Sequence, residues 1–131
     1  MPAAESYPDD LRYHAEHDWA RVDGDEATLG ITWFAQDSLG ELVHYEAPES
    51  GATVTKDESY GEVESVKAVS DIVAPLTGEV LEVNQKVVGE PETVNDDPYG
   101  EGWLIRIRMS NASELDTLMD AEAYRGHVAE Q

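Results

Sequence analysis

The chain has 131 residues, with 29 Asp and Glu against 8 Lys and Arg, a formal net charge of −21, and no cysteine. Without cysteine there is no disulfide framework, no thiolate zinc site and no cysteine nucleophile. So acidic a surface repels phosphate backbones, which argues against nucleic-acid binding and favours a monomer.

No apolar run approaches the ~20 residues that span a bilayer, and the first ten residues, MPAAESYPDD, lack the basic and apolar regions of a signal peptide. They read as a flexible N-terminal tail, residues 1–10, ahead of a single domain over residues 11–131. The expected compartment is cytoplasmic.

Arg12 to Val22 alternates loosely and reads as two short strands with a turn near Glu16 to Asp18. Asp23-Gly24-Asp25 is turn chemistry, and Ala27 to Ile31 is a strand. Thr32 reads as the N-cap of a short helix from Trp33 to Leu39, stopped by Gly40. Glu41 to Glu46 is a strand, Pro48 to Gly51 a loop, Val54 a buried anchor and Lys56-Asp57 a turn. Ser59 to Val66 and Ala68 to Ala74 read as the two arms of a hairpin with Lys67 at its tip, closed off by Pro75. Glu79 to Asn84 alternates as a strand, and Glu90 to Gly102 reads as a long loop. Trp103 to Met109 is an amphipathic strand, with Trp103, Ile105, Ile107 and Met109 on one face and Leu104, Arg106 and Arg108 on the other. Ser113 to Asp116 resembles a capping box ahead of Leu115, Leu118 and Met119, and Asp120 can cap a last helix through Val128.

A weak internal repeat has an offset of 38: Gly40-Glu41-Leu42-Val43 matches Gly78-Glu79-Val80-Leu81, and Gly51 matches Gly89. Two such β units related by an approximate two-fold would form a flattened barrel or sandwich, mainly β, with the Lys67 hairpin between them.

Lys67 stands in the run Gly61-Glu62-Val63-Glu64-Ser65-Val66-Lys67-Ala68-Val69-Ser70-Asp71 and is one of only three lysines, with Lys56 and Lys86. A rigid tip with small or β-branched neighbours presents the amine to a modifying enzyme, and acylation would turn the ammonium into a neutral, flexible tether. Against this, a lysine at a turn is ordinarily just a solvated charge. The four histidines show no ligand spacing, and no nucleophile elbow, P-loop or dinucleotide fingerprint is present. No catalytic residue and no metal site is therefore assigned.

The stretch Glu64-Ser65-Val66-Lys67-Ala68 with Ser70-Asp71, Pro75 and Gly78-Glu79-Val80 resembles the lipoyl-attachment segment of the H proteins of the glycine cleavage system. So do His17-Asp18-Trp19, Gly30-Ile31-Thr32 with Ala35-Gln36 and Leu39-Gly40, Asn95 through Gly100, Gly102-Trp103, and Asp120 through Tyr124. The blocks run in order from about Leu11 to Val128.

The resemblance implies a lipoyl-type hybrid barrel-sandwich with a short helix in its N-terminal half and further helices at its C-terminal end. It implies (R)-lipoate amide-linked to Lys67 on a carrier that itself turns over no substrate. The partners it implies are the pyridoxal-phosphate glycine decarboxylase (P protein), which loads an aminomethyl group, the folate-dependent aminomethyltransferase (T protein), which removes it, and dihydrolipoyl dehydrogenase (L protein), which reoxidises the dithiol. Enzymes that attach lipoate are implied too, reading a surface of Glu64, Ser65, Val66, Ala68 and Asp71. His17 and Asp18 match a segment bordering the cleft where the loaded arm rests, with Asp for the usual Glu. Trp33 departs from the usual Asp. Trp19, Trp103 and Tyr99 read as core or loop anchors.

Other roles on the same scaffold are a lipoate relay for other lipoyl enzymes and a biotin carrier, although biotin carriers place methionines beside the lysine where this chain has Val66 and Ala68. A lipoyl domain of a 2-oxoacid dehydrogenase would be shorter and would lack the terminal blocks.

Overall fold

The protein is described by a computed structural model covering residues 3–131. Among the described residues, nine strands form two antiparallel sheets. The larger sheet contains β1 (Arg12–His14), β2 (Asp18–Asp23), β3 (Glu26–Ile31), β9 (Ile105–Met109), β8 (Gly78–Val83) and β5 (Thr53–Val54), in that spatial order. The smaller sheet contains β4 (Leu42–Glu46), β6 (Ser59–Ser65) and β7 (Val69–Val73). Inward residues of both sheets share one core: Leu29, Val80 and Ile107 from the larger, Leu42, Val63 and Ile72 from the smaller. Removing these from water is the main stabilising term, at roughly 1.5–3 kcal/mol for each large aliphatic side chain.

The early elements follow the sequence closely. Gly24 adopts φ 65 in the two-residue loop between Asp23 and Glu26. The side chain of Thr32 accepts a hydrogen bond from the Ala35 amide at the start of α1 (Trp33–Leu39). Gly40 ends α1 at φ 87, ψ −161, a region open essentially to glycine alone.

Four expectations need correction. Residues read as a loop contain α3 (Thr93–Asp96), and an unanticipated α2 (Gln85–Gly89) precedes it. Both are too short for a periodic signal. Asn84 caps α2, accepting from the Lys86 amide, while its amide nitrogen donates to the carbonyls of Glu101 and Trp103. Leu104, which the alternation puts on the polar face, is fully buried, because Val87 and Val94 of these helices share its cluster. The apparent capping box is a 3-10 helix (Ala112–Thr117) capped by Asn111, and Glu114 instead accepts from the Thr77 amide and hydroxyl, both at 2.8 Å. The repeat survives in part. β4 and β8 each pair with the next long strand, β6 and β9. Gly51, however, lies in a loop at φ 89, whereas Gly89 is the last residue of α2.

The stretch read as a flexible tail makes specific contacts over its described part, with Met1 and Pro2 outside the described residues. The Ala3 carbonyl accepts from the Trp33 indole, the Ser6 carbonyl from the Tyr99 hydroxyl and the Pro8 carbonyl from the Tyr13 hydroxyl. These bonds serve a second core of Tyr7, Leu11, Tyr13, Trp19, Tyr99 and Tyr124, closed by α4 (Ala121–Ala129). Asp120 caps α4 through the Ala123 amide. Trp19 is completely buried and donates to the Pro98 carbonyl, so it and Tyr99 are anchors as expected.

Candidate functional site

The hairpin of β6 and β7 is rooted by Val63 and Ile72, which point into the core. Its last ladder pair is Glu64 with Val69, and the Ser65 amide donates to the Ala68 carbonyl at 2.8 Å, leaving Val66 and Lys67 as the loop. The favoured two-residue hairpin turns need positive φ, and neither loop residue has it. Ser65 supplies what such a turn would lack. Its Oγ accepts from the Lys67 amide at 3.2 Å and the Ala68 amide at 3.1 Å. The Val66 amide donates to the Glu41 carbonyl at 3.3 Å, fastening the tip to the α1–β4 turn. That turn is itself welded by Asn95. Its side chain accepts from the Leu42 amide and donates to the Gly40 carbonyl and to Gln36, each at 2.9 Å.

Lys67 is exposed on this braced tip. Lys56 pairs with Asp57 and Lys86 with Glu101, whereas among the described residues Lys67 has no acidic partner. An unpaired amine is not held by an ion pair that an acylating enzyme must first break.

Val66 is 72% exposed, Val69 60% and Val43 49%, an apolar surface beside the lysine. One row inward, Glu46, Glu62 and Asp71 stand in register across the three strands. Apolar residues rimmed by charge mark an interaction surface. Of the residues expected to form a recognition surface, Glu64, Val66, Ala68 and Asp71 are exposed. Ser65 is the correction: it is 5% exposed, and its hydroxyl is spent on the tip backbone.

His17 and Asp18 are adjacent but serve different surroundings. His17 holds φ 73, and its Nδ1 is 2.8 Å from the Tyr124 hydroxyl. Its ring lies 4.6 Å from that of Phe34 and 5.5 Å from that of His127. Burial, then the neighbouring His127, push its pKa down. Asp18 is 2% exposed, and its Oδ2 has no hydrogen-bond partner. Burial, reinforced by Glu16, holds its carboxyl well above the usual carboxylate range, so it is kept neutral where a free aspartate would be ionised. No hydrogen bond joins either residue to Lys67 among the described residues.

The sequence reading missed the contact of Gly40 with the hairpin and the role of Asn95. Gly40 carried the signal of a helix stop but not of contact with the hairpin, which is long-range.

The chain matches the family described as "Glycine cleavage H-protein" over residues 11–131. It is 51% identical over 123 residues to a glycine cleavage system H protein of Symbiobacterium thermophilum, covering 94% of this chain and 96% of that one. It is 49% identical over 121 residues to a probable glycine cleavage system H protein of Haloarcula marismortui, covering 92% and 95%. Among solved structures, a glycine cleavage system H protein from Mycobacterium marinum superposes with a TM-score of 0.86 at 41% identity, covering 93% of this chain and 98% of that one. Sequence, architecture and the order of the motifs agree: this chain belongs to the glycine cleavage H-protein family.

Proposed function

We propose that this chain carries (R)-lipoate in amide linkage on Lys67 and moves the aminomethyl group of glycine between the enzymes of a glycine cleavage system. The partners in this reading are the glycine decarboxylase, the aminomethyltransferase, dihydrolipoyl dehydrogenase and a lipoate-attaching enzyme, in the cytoplasm. The observation that carries it is the unpaired, exposed Lys67 on a tip fixed by Ser65 and Glu41.

The residues present fit such an arm. Lys67 is open to acylation, Val43, Val66 and Val69 offer apolar surface to a hydrocarbon chain, and Asp18 keeps a buried carboxyl oxygen unspent. Each methylene laid on apolar surface contributes up to ~0.8 kcal/mol. When attached, lipoate supplies the sulfur that carries the cargo and the dithiol–disulfide couple. The protein's part is positional. Ser65 and Glu41 hold the attachment point rigid, and Glu46, Glu62 and Asp71 offer negative charge to partners with basic docking surfaces. Asp18 is the contact for the cargo's amine, and His17 is committed to Tyr124.

Intact mass of the natively expressed protein beside Lys67→Arg tests this. A lipoyl-sized increment present in the parent and absent in the variant is expected. An unmodified parent, or an increment retained by the variant, overturns the attachment site.

A further inference from the structure

The turn from His14 to His17, which joins β1 to β2, is held by three imidazoles. His14 Nδ1 accepts from the Glu16 amide at 3.0 Å, and its Nε2 donates to Asp57 at 2.6 Å. From α4, His127 Nε2 donates to the Ala15 carbonyl at 2.9 Å. His17 closes the turn at φ 73, and its Nδ1 meets the Tyr124 hydroxyl at 2.8 Å. That hydroxyl in turn meets Thr32 Oγ1 at 2.7 Å, and Thr32 caps α1 by accepting from the Ala35 amide. A chain of hydrogen bonds thus runs from a half-buried histidine to the first turn of α1, through two completely buried side chains.

Counting protons fixes the direction of that chain. The Ala35 amide can only donate, so Thr32 Oγ1 accepts there. If the Thr32 hydroxyl donates to Tyr124 and the Tyr124 hydroxyl donates to His17 Nδ1, every proton has an acceptor. In the reverse direction His17 donates to Tyr124 and Tyr124 to Thr32. The Thr32 hydroxyl proton then has no acceptor among the described residues, in a residue with no exposed surface. A buried polar group without a partner costs stability. The first direction is therefore the resting one, and it needs a neutral His17 with a bare Nδ1. A cationic imidazole donates from both nitrogens and permits only the reverse.

We propose that this chain is a proton-sensitive clasp: a proton taken from solvent by His17 Nδ1 turns both hydroxyls round, strands the Thr32 proton, and loosens the N-cap of α1 together with the seat of Tyr124 on the turn. The surroundings of the ring resist that proton. Burial does so first, then His127, which faces it from α4 with ring centres 5.5 Å apart, and His14 from the same turn. Phe34 from α1 and the Tyr124 ring cover it without charge, and Asp18, the next residue, is kept neutral and supplies no counter-charge. Glu16 and Gln131 favour the proton but are outweighed, so His17 titrates below its ordinary value of 6.5. The unfolded chain therefore binds this proton more tightly than the folded one. The clasp is fully closed above 6.5 and is lost as pH falls toward the folded value. None of this depends on whether Lys67 is acylated.

The experiment follows the full-length parent, Tyr124→Phe and His127→Gln by NMR from about pH 8 to about pH 5. The ring shifts of His17 report its protonation, and the hydrogen-exchange protection factor of the Ala35 amide reports the cap. In the parent, Ala35 protection should fall on the order of tenfold, the worth of about one hydrogen bond, with the same midpoint as His17 and below 6.5. In Tyr124→Phe the ring still titrates, but Ala35 should no longer respond, because the link between them is gone. In His127→Gln the His17 midpoint should rise, and the Ala35 response should move up with it. An Ala35 amide indifferent to His17 in the parent overturns the inference. So does a response that persists in Tyr124→Phe, which would trace it to general loosening in acid. If Tyr124→Phe does not fold, His127→Gln decides: a His17 midpoint that stays put, or one that rises without Ala35 following, overturns the clasp.

Discussion

The Cε of Lys67 lies 3.7 Å from the point that a Cβ on Gly40 would occupy. The lysine stem therefore runs along the bare backbone of the α1–β4 turn, to which the hairpin tip is also tied through Val66 and Glu41. The residue that ends a helix and the proposed attachment residue meet across 27 positions of sequence.

Gly40→Ala should accordingly act twice. The backbone conformation there is closed to residues with a side chain, at a cost of about 2 kcal/mol, and the new methyl sits beside the stem. Chemical denaturation should register the loss of stability, and acylation of Lys67 by a lipoate-attaching enzyme should slow. Unchanged modification kinetics would dissociate the turn from the tip.

Ser65→Ala removes the acceptor that two tip amides share. A loss of about 1 kcal/mol is expected, with faster hydrogen exchange at Lys67 and Ala68. Ser65→Thr keeps the hydroxyl and should restore most of both. Slow exchange surviving in the alanine variant would mean that the tip is held from elsewhere.

Asp18→Asn should change the pH dependence of stability. The folded carboxyl binds its proton more tightly than the unfolded one. Its contribution is thus complete below the ordinary value of 3.8 and declines as pH rises toward the folded value. The asparagine variant escapes that decline, so its stability relative to the parent should grow by about 1.4 kcal/mol per pH unit across that window. A difference that stays flat with pH would place an ionised Asp18 in the folded state.

Gly30→Ala should cost about 3 kcal/mol, because a Cβ there would stand 2.6 Å from the Trp19 ring, which is completely buried. Urea midpoints would measure it. A near-neutral result would require the indole to shift without penalty.

How legible all this was in the sequence depended on range. Local chemistry read well. Thr32 and Asp120 cap their helices, Gly24 and Gly40 take positive φ, and the hairpin around Lys67 is where strand alternation puts it. Reading failed where a side chain serves a distant backbone. Asn95 stood in a recognised motif, yet its task of bonding Leu42 and Gly40 exists only once α3 is laid against α1. Ser65 looked like a recognition residue because it stands in the segment that resembles a lipoyl-attachment site, and the absence of a positive-φ residue at the tip was invisible beforehand.

The unpaired ammonium of Lys67 also has an analytical consequence. Neutralising it breaks no ion pair and leaves no carboxylate newly bare, so the acylated protein gains one unit of negative charge with its contacts otherwise kept. Modified and unmodified molecules should then separate on an anion-exchange column or a native gel as two discrete, folded species. The fraction acylated could be counted without denaturing either one.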